Sequence, residues 1–201
     1  MTQPTTIASS LAPPFSMVGK YFLAAIASFV LLSGLLVFNA SELQGHYFQP
    51  KLLALTHIAT LGWITMVMFG AMYQLIPVVL EVKLFSAKLG ELQFWVYLLG
   101  ILGLVYGFWN FQVGSHFTAS AALVMLAILL FVVNVFFTMT KVTNWNLTGF
   151  YLLTSLVYLA ATAIAGFLLS INLGFPFISR IHLDYLKIHA HLGFIGWVVM
   201  V

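Results

Sequence analysis

Apolar residues run along this chain in long blocks separated by short polar links. The blocks show neither the two-residue alternation of a half-buried strand nor the single stripe of a water-facing helix. A helix needs about 20 apolar residues to cross the hydrocarbon of a bilayer. Blocks of that order cover 21–40, 52–80, 92–110, 117–140 and 147–173, and a sixth starts near 188 and runs to 201. The expected fold is therefore all-α: a polytopic transmembrane helix bundle with about six helices in this chain. A 14-residue sixth block is short for a span, so the sequence reads as the front part of a longer polypeptide. The organisation expected is an N-terminal arm over 1–19, a first four-helix repeat over 20–140, and the first two helices of a second, truncated repeat over 141–201.

Composition narrows the class. Charged residues are 5% of the chain and apolar ones 63%, against about 25% charged in a soluble domain. Such a surface is solvated by lipid, not water. The net charge of +3 comes from seven scattered lysines and arginines, with no basic cluster to engage phosphates, so nucleic acid is excluded as a partner. Cysteine is absent, which rules out disulfides, iron–sulfur clusters and thiolate catalysis. Any metal is then left to histidine, methionine, carboxylate or backbone. Residues 1–18 lack the positive n-region of a cleavable signal, and Pro4, Pro13 and Pro14 interrupt them. Lys20, Lys83, Lys88 and Lys141 fall on the N-terminal side of the spans, and Lys51, Arg180 and Lys187 on the other. That bias favours a cytoplasmic N-terminus.

Ionisable residues inside the blocks are few, and a titratable side chain at membrane depth is a functional-site hypothesis by default. The second block carries His57. The sixth carries His189 and His191. His57, Gly62, Trp63, Met66 and Val67 recur as His191, Gly196, Trp197, Met200 and Val201, an H-x4-G-W-x2-M-V pattern. The second and sixth helices enter from the same membrane side, and each histidine lies a few residues past an anchoring lysine, Lys51 or Lys187. At 1.5 Å per residue, both rings are expected roughly 6–9 Å inside, at equal depth. Neutral imidazole ligates haem iron and copper. The repeat pairs His57 with His191, while His189, two positions away, faces another direction and serves another centre or a neighbouring helix. Trp63 and Trp197 lie six residues beyond their histidines, where they either flank a planar cofactor or fill core. His46, His116 and His182 fall in loops and are read as solvated. Gly100, Gly103 and Gly107 mark a close helix contact. Tyr151, Ser155, Tyr158, Thr162 and Gly166 form a polar stripe that serves either interhelical hydrogen bonding or a proton or water path.

A repeat that pairs the second helix with the sixth resembles subunit I of the haem–copper oxidase superfamily, including its cbb3-type members. There, histidines on helices two and six bind metals in a fold of four-helix arcs. The run from His57 through Trp63 to Phe69-Gly70-Ala71-Met72-Tyr73-Gln74-Leu75-Ile76-Pro77 looks like the large subunit of nitric oxide reductase. His189-Ala190-His191 is also similar to the H-x-H pattern of the NnrS family of membrane proteins linked to nitric oxide stress. The resemblance implies a b-type haem on His57, and copper or non-haem iron at His191 or His189. It implies an electron-donor subunit or cytochrome c as partner, O2 or NO as substrate, and a bacterial inner membrane around the bundle. Ile195 and Gly193 stand four residues past His191 and His189, where oxidases carry a tyrosine. Two other readings share the same residues: a non-catalytic haem- or copper-binding protein of NnrS type, and a proton-coupled transporter without cofactor.

Overall fold

In the computed structural model, which describes residues 11–178 and 182–201, every regular element is helical. Five helices are long and apolar enough to cross a membrane: α1 (Phe15–Phe38), α2 (Pro50–Val79), α3 (Ala87–Trp109), α4 (Ser115–Met139) and α5 (Leu147–Gly174). The sixth, α6, is α-helical over His182–His191 and continues as a π-helix over Leu192–Val198. The chain is an integral membrane protein built as a polytopic helical bundle. Its outward side chains, such as Leu23, Val37 and Leu99, are largely exposed and suit contact with acyl chains.

Three helix starts move by five or six residues from their expected places, α3 among them, which begins at Ala87 and not at 92. α1 begins at Phe15, directly after Pro14, so the described part of the arm ends there and not at residue 19. α6 begins at His182, six residues before the expected 188, because His182 and Asp184 continue the turn outside the apolar block. Residues 1–10 of the arm, and Arg180 of the fifth link, lie outside the described residues.

Local chemistry sets the other helix starts. Pro50 occupies the first turn of α2, where a missing N–H costs nothing. The Ser86 hydroxyl accepts from Leu89 N at 3.1 Å, and Asn146 Oδ1 accepts from Gly149 N at 2.9 Å, capping α3 and α5. The glycines of α3 meet α4 as expected. A Cβ on Gly100 would lie 2.8 Å from Val124 N, and one on Gly107 would lie 2.6 Å from the Phe117 ring. Hydrocarbon gives helices no hydrophobic reason to associate, so close backbone packing does that work.

An aromatic cluster closes the centre. Phe69 of α2 meets Tyr97 of α3 at 5.1 Å, Phe131 of α4 at 4.2 Å and Trp197 of α6 at 6.2 Å between ring centroids. Edge and tilted contacts of this kind add about 0.5–1.5 kcal/mol per pair beyond burial. They tie α6 to the first helices of the chain.

Candidate functional site

His57 and His191 share one local structure. Each imidazole bonds through Nδ1 to the carbonyl four residues earlier, Leu53 or Lys187, at 2.7 Å. A carbonyl can only accept, so Nδ1 carries a proton in both rings, and Nε2 is the nitrogen that holds the lone pair in the neutral form. Each histidine ends an α-helical segment, and a π-helix follows at once: Ile58–Thr65 in α2 and Leu192–Val198 in α6. Such segments are rare and cluster at functional sites. Each motif glycine then packs on the helix before its own. A Cβ on Gly62 would lie 2.9 Å from Ser28 Oγ of α1, and one on Gly196 would lie 2.3 Å from the Tyr158 ring of α5. The sequence repeat is thus a structural repeat of helix pairs.

The surroundings of the two rings differ. His57 faces a cavity of about 410 Å³ enclosed by α2, α3, α4, α5 and α6, a size within the roughly 300–1,000 Å³ of small-molecule sites. Phe108 of α3 stacks on its imidazole, centroids 4.6 Å apart. His191 is exposed, in a shallow groove with Tyr158, Asp184 and Lys187 on the far side of α6. No described helix stands beside α6 as α3 stands beside α2, which leaves that ring uncovered. The expected convergence of His57 with His191 inside the bundle is therefore corrected: the partner of His57 in the cavity is His189.

His189 enters the cavity from α6. Its Nδ1 donates to the Thr162 carbonyl of α5 at 3.0 Å, again leaving Nε2 as the lone-pair nitrogen. It reaches that carbonyl because Gly166 has no side chain. Both His57 and His189 line this one cavity. The wall between them is overwhelmingly apolar, with Leu104, Val124, Leu159 and Phe194 among its residues.

The tryptophans divide in the same way. Trp197 lines the cavity at 2% exposure, and its indole Nε1 is buried without a hydrogen-bond partner. Trp63 lies off the cavity, its ring 4.5 Å from that of Phe29 of α1. Of its two expected places, Trp63 takes the packing one, against α1, although Trp197 lies in the equivalent π-helical turn and faces the cavity. The polar stripe of α5 is largely consumed in packing against α6: Tyr158 receives Gly196, Thr162 holds His189, and Gly166 admits its ring.

His182, read from the sequence as solvated, stands at the cavity mouth. Its ring meets Phe48 edge-on at 5.4 Å and contacts Asn172 Nδ2 at 2.9 Å. Asn172 Oδ1 accepts from Phe177 N and Ile178 N, which fixes the amide so that Nδ2 donates to His182 Nδ1. Burial holds the His182 pKa below the usual histidine value, in keeping with a ring that must accept. A signal existed: His182 and His189 are seven residues apart, two turns along one helix face.

Among the described residues no three histidine or acidic side chains gather as a metal site. The donor set is two imidazoles across an apolar space. Compared with protein-family models, curated proteins and solved structures, the chain matches none.

Proposed function

We propose that this chain is a haem-binding membrane protein of the haem–copper oxidase subunit I type, with the haem held in the cavity by His57 and His189. The observation that carries this reading is the pair of imidazoles on α2 and α6, each with Nδ1 tied to a backbone carbonyl and Nε2 left to ligate. Metal-bound histidines almost always donate their other N–H to such an acceptor, which fixes tautomer and ring orientation. Haem iron takes one or two axial protein ligands, whereas a tetrahedral zinc-type site takes three or four. Two donors in an apolar slot fit the former. The orphan Trp197 indole N–H on the same wall suits a polar group of a ligand. Without cysteine there is no thioether attachment, so the haem would be a non-covalently held one, such as b-type.

When bound, such a group supplies one-electron transfer. The residues of this chain orient it and exclude water: Phe108 braces His57, the Thr162 carbonyl braces His189, and the apolar wall surrounds both rings. A donor subunit or cytochrome c would deliver electrons, with O2 or NO as terminal acceptor. His191, outside the cavity, would have no part in this haem.

The test is the absorption spectrum of protein purified from haem-replete membranes. A Soret band that shifts on reduction supports the reading. Protein that is folded and remains colourless after haem supplementation overturns it, in favour of a cofactor-free transporter.

A further inference from the structure

The half of the bundle opposite the cavity holds a buried polar cluster that the haem reading does not use. The Tyr21 hydroxyl lies 2.7 Å from the Gly90 carbonyl and also contacts Gln93 Oε1. It has one hydrogen for two acceptors. The same Oε1 is reached by the Tyr73 hydroxyl at 3.4 Å, and Asn134 Nδ2 approaches Tyr73 at 3.4 Å. Asn134 cannot turn over, because Oδ1 accepts from Ser86 N and Nδ2 donates to Ser86 O. Gln93 is 0% exposed, and its Nε2 has no partner.

Flipping the Gln93 amide does not close the account. Nε2 would then donate to both tyrosine oxygens, and Tyr21 would be free for Gly90. Oε1 and the Tyr73 hydrogen would be left unpaired instead. In either orientation the cluster lacks one hydrogen-bonding partner, the role that buried water fills in folded proteins. Met17 is the neighbour able to yield space there: its methyl fills the room beside Gly90, and its unbranched thioether re-packs readily.

Polar groups continue on both sides. Toward the surface, Glu91 pairs with Lys20, both about one-third exposed. Toward the cavity, Tyr97 follows Gln93 by one turn of α3. Its hydroxyl lies 3.4 Å from the Leu61 carbonyl in the π-helical turn, and Leu61 and Thr65 of that turn line the cavity. The turn between Gln93 and Tyr97 rises about 6 Å, too far for one hydrogen bond and close to the span of two meeting at a water.

We propose that Gln93 is the centre of a buried water site, and that this site, with Tyr97 and Thr65, forms a hydrated file carrying water and protons from the Glu91 face to the cavity. Each water or hydroxyl in the file takes one proton from its neighbour and passes another on. One proton enters at the Glu91 face, one arrives at the cavity, and no electron moves. The proposal is independent of what the cavity binds.

Radiolytic hydroxyl-radical labelling of the whole chain in lipid nanodiscs tests it, since radicals formed from bound water oxidise the side chains beside it. Tyr73 and Tyr97 are expected to be oxidised although 0% exposed, while Phe69 and Phe131, equally buried, are spared. Gln93→Leu is expected to abolish labelling at both tyrosines, and Gln93→Glu, which still binds water, to keep it. Tyrosines labelled no more than the two phenylalanines in the unaltered protein overturn the proposal without reference to any variant. Labelling unchanged in Gln93→Leu, or lost in Gln93→Glu, also overturns it.

Discussion

The imidazole of His189 occupies the space that a side chain at Gly166 would need: a Cβ there would lie 2.8 Å from its Cε1. One missing methyl on α5 thus sets how a histidine on α6 enters the cavity. Gly166→Leu is expected to evict the ring from the Thr162 carbonyl and abolish haem retention, with the helical content unchanged. The haem-to-protein ratio after purification, beside a far-ultraviolet circular dichroism spectrum, measures this. Full retention would mean that the placement of His189 does not matter.

Gly196 and Tyr158 make a second tight contact, on the other face of α6. Gly196→Val forces a branched side chain into the tyrosine ring, and overpacking of this kind costs about 1–3 kcal/mol. Unfolding in mixed micelles is expected to show a loss of that order. Gly34→Val, where a side chain would meet nothing within 4 Å, is expected to be nearly silent.

At the mouth, His182 must stay neutral to accept from Asn172. Its folded-state pKa is depressed, so the contact contributes fully above the ordinary histidine value near 6.5. That contribution is lost as pH falls below it and through the folded value. Stability measured from pH about 7.5 down to about 5 is expected to fall less steeply in His182→Gln, which keeps an acceptor and does not titrate. An identical acid slope in the variant would show that His182 does not contribute.

Much of the scaffold was legible in the sequence, because long apolar blocks leave few alternatives in lipid. The five spans begin and end within six residues of their expected limits, and the glycines of α3 make the close helix contact expected of them, with α4. The repeat around His57 and His191 was legible too, down to the glycine, although the change of helical pitch after each histidine was not. What the repeat could not convey is the neighbourhood of each copy. Equivalent residues share backbone geometry, not partners: α3 covers His57 with Phe108, and nothing described covers His191. Choosing His189 required knowing which face of α6 meets α5. That choice is made by Gly166, Tyr158 and Gly196 together. The two tryptophans divide for the same reason: in equivalent π-helical turns, Trp63 meets Phe29 of α1 while Trp197 meets the cavity.

Titration of the purified apoprotein with haemin, in single variants of the three membrane histidines, bears most directly on the pairing of His57 with His189. Losing an outer-shell partner typically weakens metal binding about 10–100-fold, so losing a ligand should cost more. His57→Ala and His189→Ala are each expected to weaken binding by more than about 100-fold and to blunt the Soret shift, while His191→Ala binds as the unaltered chain does. Loss of binding in His191→Ala with retention in His189→Ala would contradict the account, because it would assign the ligand to the ring that the structure leaves outside the cavity.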